Sequence, residues 1–223
     1  MNNPTSKTDL AAVVSFEGSV EKLRSCLEAL KSWVPEIVVV IGEHENSAKD
    51  VINKFNMSIC INSVTTTSFR WECGLTKINT PWVLLIHSNE IVTGQLRKTI
   101  VEKIKKNGNT PCKYRLPSTI IFLKKRLKYS LDWYDSQPSY LAYFPNNVTT
   151  IQALEKHPAE FEGELIRYHE DTLSDCASTV IKKAGERADC LAKASANSNI
   201  HRLFIFACIS SIKIFIQTYF LRK

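Results

Sequence analysis

Two apolar stretches decide the fold: EIVVVIG at residues 36–42 and WVLLIH at residues 82–87. The first is a run of β-branched side chains after Glu36 and the second a run of apolar side chains before His87, and such runs are typical of a strand buried on both faces of a parallel sheet. LAAVVSF at residues 10–16 and MSICI at residues 57–61 have the same character. The sequence therefore predicts four strands in its first ninety residues.

Helical patterns separate these strands. One helix is predicted to start at Gly18-Ser19 and to end near Trp33, since its apolar side chains recur at i, i+3 and i+4. Others are predicted at residues 46–55, 67–78 and 93–106, the first of them capped by Asn46 or Ser47. Strands that alternate with helices indicate an α/β fold, a mostly parallel sheet flanked by helices. Further strand-like runs lie at residues 113–123, 139–144 and 163–169.

Composition limits the class of protein. The 223 residues are 44% hydrophobic and 23% charged, values of an ordinary globular chain. The net charge of +7 favours anionic partners, and it is regional, because residues 97–128 hold eleven Lys or Arg and one acid. This segment is interpreted as a solvated helix face, a patch for anionic lipid or a clamp for pyrophosphate. Nucleic acid is disfavoured as a partner, because no recognised nucleic-acid-binding motif is present.

The cysteines and the two ends of the chain bear on location. Seven cysteines without a CxxC pair predict reduced thiols, and the first ten residues lack the apolar core of a secretory signal, so we expect a cytoplasmic protein. Residues 203–221 are apolar apart from a few polar side chains and a central Lys213. They are predicted to lie on a membrane surface, to pack against the protein, or to span the membrane.

Candidate ligand residues follow the predicted strands. In doubly wound sheets ligands bind beyond the carboxyl ends of the strands, which here are Glu17-Gly18 and residues 42–46, 62–66 and 87–90. The sequence has no GxGxxG, P-loop, GxSxG or HExxH motif, which argues against the usual dinucleotide, P-loop, hydrolase and zincin sites.

Three strings carry a resemblance to a known family. ALKSWVPEIVVVIG at residues 29–42, TKINTPWVLLIHSNEIV at residues 76–92 and ELIRYHEDTLSD at residues 164–175 resemble the family 2 inverting glycosyltransferases, most closely the small lipopolysaccharide-core type. The resemblance implies a GT-A-like fold over residues 1–170 and a C-terminal helical extension over residues 171–223. It also implies a nucleotide-sugar donor, a lipid-linked or lipopolysaccharide-type acceptor, and a peripheral place on the inner face of the cytoplasmic membrane.

Site residues follow from the same resemblance. The acid after the first strand is Glu17, and the motif that holds the donor and its Mn²⁺ or Mg²⁺ falls on residues 87–90, where both of the family's aspartates are absent. His87 and Glu90 are the predicted metal ligands. The predicted donor-binding residues are Glu17, Glu43, Lys77, Ser88 and Asn89.

Inverting transfer also needs a general base for the acceptor hydroxyl. Asp132 and Glu155 are the predicted candidates. The family's acids are missing at positions 41, 87 and 89, which leaves an alternative open: a catalytically inactive homologue that binds a partner or a membrane.

Overall fold

The structure is a computed structural model. It describes residues 9–62, 67–106, 111–127, 138–145, 150–151, 154–157, 161–169, 172–175, 177–178, 181, 184–185 and 209. The chain forms two compact units, one of Met1–Ile120 with Gln137–Tyr168 and one of Ile121–Ser136 with His169–Lys223. The predicted division into residues 1–170 and 171–223 stays a prediction.

Eleven strands and four helices are described. The strands are β1 (Leu10–Ser15), β2 (Glu36–Ile41), β3 (Ser58–Ile61), β4 (Trp82–His87), β5 (Glu90–Val92), β6 (Cys112–Arg115), β7 (Ser118–Phe122), β8 (Lys125–Arg126), β9 (Tyr140–Tyr143), β10 (Glu155–His157) and β11 (Leu165–Tyr168). The helices are α1 (Val20–Lys31), α2 (Asn46–Lys54), α3 (Thr67–Leu75) and α4 (Gly94–Lys106).

The main sheet has seven strands in the order β10-β6-β9-β4-β1-β2-β3. Strand β1 pairs in parallel with β2 and β4, and β2 pairs in parallel with β3. Strand β9 runs antiparallel to both β4 and β6. The predicted fold class, a mostly parallel sheet flanked by helices, is confirmed, and so are the four predicted strands β1 to β4, which are neighbours in this sheet.

Apolar side chains cover both faces of this sheet. On one face, α1, α2 and α4 pack against alternate residues of β1, β2 and β4. On the other face Trp71 of α3 packs against the remaining residues of the same strands. Every residue of β1 and β4 is buried, which explains why their sequences read as unbroken apolar runs.

The helix caps differ in how well the sequence predicts them. The Ser19 side chain caps α1 by accepting from the Lys22 amide, as the Gly18-Ser19 start predicts. The predicted caps of α2, Asn46 and Ser47, are wrong, because the cap position is Glu45. The Glu45 carboxylate instead accepts from the Gly42 amide at 2.7 Å, which tightens the turn after β2.

A second, smaller sheet begins with β5, a strand that the sequence does not predict. Strand β5 pairs antiparallel with β11, so that Arg167 lies opposite Glu90 and Leu165 lies opposite Val92. The backbone between β4 and β5 is joined to this pair by the Tyr168 amide, which donates to the Asn89 carbonyl at 2.8 Å. The pairing of β5 with β11 therefore connects the end of β4 to a distant part of the chain.

The prediction of reduced thiols is wrong for two of the seven cysteines. Cys60 on β3 and Cys73 on α3 form a disulfide, while Cys26 and Cys112 are buried as free thiols. Sequence spacing gives no sign of the disulfide, since β3 and α3 come together only in the folded sheet.

In the second unit, the end of β7 pairs with β8, and the hydroxyl of Thr172 accepts from the Asp175 amide. This hydrogen bond is typical of a helix N-cap. Residues 203–221 lie outside the described residues, Ile209 excepted. None of the helices within the described ranges combines the length and the apolar character needed to cross a membrane.

Candidate functional site

The candidate site lies where β1 and β4 end. Ser15 and His87 are the last residues of these strands and lie side by side in register. The turns that follow are held together by the backbone and by one hydroxyl: the Ser88 amide donates to the Ser15 carbonyl at 2.9 Å, and the Glu17 amide donates to Ser88 Oγ at 2.8 Å. The buried hydroxyl of Ser88 thus fixes the position of Glu17.

An ion pair between His87 and Glu17 is the most distinctive feature of this edge. His87 Nδ1 lies 2.7 Å from Glu17 Oε1, with the His87 side chain 1% exposed and the Glu17 side chain 38% exposed. The Trp71 ring lies against the imidazole, with ring centroids 5.1 Å apart. Next to this pair, the Arg70 guanidinium donates to the Phe16 carbonyl at 2.5 Å. A solvent-facing carboxylate is therefore held in place by a buried histidine and flanked by a cation.

The charge state of His87 is set by opposing influences. Burial is the largest of them and lowers the pKa of His87, but the Glu17 carboxylate, its hydrogen bond and the Glu90 carboxylate raise it. Arg167 lowers the pKa further, yet the sum of these influences is a pKa above the ordinary value of 6.5. The folded protein thus favours the imidazolium form of His87.

Behind His87, Glu90 and Arg167 form a fully buried ion pair. Arg167 Nε donates a hydrogen bond to Glu90 Oε1 at 2.8 Å, and Arg167 Nη2 lies 2.6 Å from the same oxygen. The other oxygen, Oε2, accepts from the His87 amide at 2.8 Å and from Ser139 Oγ at 2.5 Å. Both oxygens of Glu90 are therefore engaged, by three hydrogen bonds and by the ion pair with Arg167.

Two polar atoms at this edge are buried and unsatisfied. Within the part of the chain that the structure describes, Ser15 Oγ and Asn89 Oδ1 have no hydrogen-bond partner. Buried polar groups are normally paired, and exceptions often mark a site for water or a ligand. Both residues come from the strand ends that carry Glu17 and His87, which concentrates unmet hydrogen-bonding capacity at this edge.

Comparisons with known proteins give fold-level likenesses only. No protein-family model and no curated protein matches the sequence. Three of the similar solved structures are TarS 1–349 of S. aureus in complex with UDP, glucosyl-3-phosphoglycerate synthase from Mycobacterium tuberculosis in complex with Mn²⁺, UDP and phosphoglyceric acid, and a nucleotidyl transferase from Methanothermobacter.

The likenesses are distant. TarS is 12% identical to this chain, with a TM-score of 0.47 over 79% of the chain. The synthase is 10% identical, with a TM-score of 0.42 over 52% of the chain. The nucleotidyl transferase is 13% identical, with a TM-score of 0.39 over 49% of the chain. The chain spans less than two thirds of each of these proteins, at 64%, 44% and 63% of their lengths.

The predicted metal site lacks a suitable set of donor side chains. Among the described residues, no group of three or more His, Cys, Asp or Glu side chains is placed to hold a metal ion. Of the two predicted ligands, Glu90 has its oxygens occupied by Arg167, Ser139 and the backbone, and His87 is paired with Glu17. As placed, His87 and Glu90 do not fit a divalent cation.

The structure brings together five of the predicted site residues, namely Glu17, His87, Ser88, Asn89 and Glu90. It does not bring Lys77 to them, because Lys77 follows α3 and leads into the amino end of β4. Glu43 lies after β2 at the carboxyl edge of the sheet and is exposed. Asp132 lies outside the described residues.

Strand register places Glu155 far from this edge. Glu155 pairs with Cys112, Cys112 pairs with Tyr143, and Tyr143 pairs with Trp82, the first residue of β4. Glu155 is therefore level with the amino end of β4, whereas His87 lies at the carboxyl end. At ~3.3 Å per residue, the two are about 16 Å apart along the strand direction. Glu155 is also three strands away across the sheet. The role of Glu155 as a general base stays a prediction that this geometry does not favour.

Sequence reasoning missed Arg167, Ser139 and Trp71. A basic residue at a buried position in the apolar strand β11 is a signal in itself, since such a charge needs a buried partner. The identity of that partner has no local signal, because Glu90 is 77 positions away.

The Glu17–His87 pair predicts a pH-dependent stability. Since the pKa of folded His87 is raised above 6.5, its stabilising contribution is complete below 6.5 and is lost as the pH rises through the folded value. One such proton changes the free energy of unfolding by at most about 1.4 kcal/mol per pH unit. Urea denaturation from about pH 6 to about pH 8 should show this decline, and Glu17→Gln should flatten it. Equal slopes for the two proteins would contradict the assignment.

Proposed function

We propose that this chain binds a nucleotide-sugar donor at the carboxyl ends of β1 and β4 and transfers the sugar to a lipid-linked or lipopolysaccharide-type acceptor of the cell envelope. The observation that carries the proposal is the Glu17 carboxylate, exposed to solvent and held by the buried His87. A fixed carboxylate accepts strong hydrogen bonds, and the ribose hydroxyls and base N–H groups of a nucleoside are the matching donors.

The surroundings of Glu17 support this assignment. Ligands of doubly wound sheets bind beyond the carboxyl ends of the strands, at the point where the strand order reverses. Here β1 lies between β2 and β4, which continue the sheet to opposite sides. Arg70 adds positive charge beside Glu17, and Ser15 and Asn89 offer unsatisfied oxygens. The acceptor class rests on the resemblance to the lipopolysaccharide-core type of transferase.

In the proposed reaction, the acceptor oxygen forms a bond to the anomeric carbon while the bond from that carbon to the diphosphate oxygen breaks. The acceptor proton passes to a general base, and the nucleoside diphosphate leaves with the bonding electrons. Of the two predicted bases, Asp132 is the one we retain, since the strand register puts Glu155 far from the donor edge.

Calorimetric titration with UDP, GDP, CMP and TDP tests donor binding. Glu17→Gln should lower the affinity for the nucleotide that binds by about 10- to 100-fold, the loss expected for one charged hydrogen bond. Glu102→Gln, an exposed acid on α4, is the matched control and should bind as the unmodified protein does. Equal affinity of Glu17→Gln and the unmodified protein would reject Glu17 as the nucleoside contact.

A second candidate is a catalytically inactive homologue that binds the nucleotide without transferring the sugar. This candidate is favoured because both oxygens of Glu90 are engaged by other protein groups. Among the described residues at the ends of β1 and β4, Glu17 is then the only acid with an exposed carboxylate. Incubation with the UDP-sugar and a lipid-linked acceptor separates the two candidates. Release of UDP supports the transferase, and binding without release supports the inactive homologue.

We also propose peripheral attachment to the inner face of the cytoplasmic membrane through residues 203–221 and the basic helix α4. Three lysines of α4, Lys98, Lys105 and Lys106, are exposed and could face anionic headgroups. Truncation after Asn199 should abolish sedimentation with vesicles that contain anionic lipid. Undiminished sedimentation of the truncated chain would reject the role of the C-terminal segment.

A further inference from the structure

The end of β4 is electrically balanced without a metal ion. Glu90 receives three hydrogen bonds on its two oxygens, one of them from Arg167 Nε, and Arg167 Nη2 lies 2.6 Å from Oε1 as an ion-pair contact. Because four donor atoms already lie within 2.8 Å of the two Glu90 oxygens, a divalent cation could bind Glu90 only by displacing one of them. The Glu90 side chain is fully buried and that of Arg167 is 4% exposed, so displacing the guanidinium would leave a cation buried without a partner.

The remaining groups at this edge also disfavour a cation. Glu17 is paired with His87, and Ser88 uses its hydroxyl to accept from the Glu17 amide. Asn89 contributes an unsatisfied amide oxygen, which is a neutral donor. Mg²⁺ and Mn²⁺ bound to a diphosphate prefer carboxylate oxygens, and none is left open on Glu90.

From this donor set we infer that the edge formed by β1 and β4 binds its nucleoside diphosphate without a divalent metal, with the Arg167 guanidinium neutralising Glu90 where a metal would otherwise do so. The inference rests on the proposed function, because it concerns how the proposed donor is held. It departs from what the resemblance to family 2 transferases implies, which is a donor bound through Mn²⁺ or Mg²⁺.

Titration of the full chain with UDP, first in EDTA and then in Mn²⁺, tests the inference. The expected result is the same affinity in both conditions, within about twofold. The Trp71 ring, which lies against His87, gives a second readout through its fluorescence. Uridine serves as the matched control ligand: it lacks the diphosphate, so a metal effect on UDP that is absent for uridine acts through the phosphates.

Each outcome has a distinct meaning. UDP binding that is equal in EDTA and Mn²⁺ supports metal-free binding. Binding that requires Mn²⁺, or that Mn²⁺ tightens about tenfold or more, overturns the inference and leaves the proposed function standing. The absence of UDP binding in both conditions, from a folded sample, overturns the inference together with UDP as the proposed donor.

Discussion

Arg167→Met should lower the free energy of unfolding by about 3–5 kcal/mol, the usual cost of removing one partner from a buried ion pair. The substitution leaves Glu90 with two of its three hydrogen bonds and removes the guanidinium that pairs with its buried charge. Methionine is similar in length, so the loss is electrostatic rather than a cavity effect. Denaturation in urea, followed by far-ultraviolet circular dichroism, measures the change.

Two further variants isolate the ion pair. Arg97→Met removes an exposed arginine of α4 that lies over the Trp33 ring, with the guanidinium carbon 5.5 Å from the ring centroid, and should cost about 1 kcal/mol or less. The double variant Glu90→Gln with Arg167→Met should recover part of the loss, since it removes both charges together. A loss in Arg167→Met no larger than in Arg97→Met would contradict a buried pair.

The centre of the sheet was predictable because a strand that is buried on both faces consists mainly of apolar residues. Strands β1, β2 and β4 are buried on both faces, so all but one residue of each is apolar and the apolar residues do not alternate with polar ones. The cap of α1 was equally local, since Ser19 precedes a helical apolar pattern. The same reasoning located Glu17 and residues 87–90 at one edge, because parallel strands end together.

The contacts within the site were not predictable, because they depend on strand register. Strand β5 is three residues long and begins with a charged residue, so the sequence indicates only a polar turn. Its pairing with β11 places Arg167 opposite Glu90, and this pairing changes Glu90 from an apparent metal ligand into one half of an ion pair. The register between β10 and β4 likewise decides where Glu155 lies.

The position of Arg167 also depends on the backbone turn that precedes β11. Gly163 has a φ of +84°, and the neighbouring Glu164 carbonyl accepts from both the amide and the hydroxyl of Thr93, at 3.3 and 2.8 Å. The carbonyl of Glu162 accepts from the Thr99 hydroxyl at 3.0 Å. These hydrogen bonds hold the turn against the start of α4, four residues before Arg167 enters the site.

Gly163→Ala should therefore destabilise the protein by about 2–5 kcal/mol, from two causes that add. A side chain at positive φ costs about 1–2 kcal/mol, and crowding in a packed contact costs about 1–3 kcal/mol. An added Cβ would overlap the backbone nitrogen of Leu96 and would lie 2.9 Å from Gln95 Cβ, so a backbone segment would have to move. The free energy of unfolding in urea gives the size of the effect.

Two other glycines separate these causes. Gly18 has a φ of +76° but open space around an added Cβ, so Gly18→Ala should show the backbone cost alone, about 1–2 kcal/mol. Gly94 has open space and no positive φ, so Gly94→Ala should change stability by no more than about 0.5 kcal/mol. The expected order of loss is Gly163→Ala, then Gly18→Ala, then Gly94→Ala. Equal losses at Gly163 and Gly18 would mean that the turn moves away from α4 freely, and that β11 rather than this contact fixes Arg167.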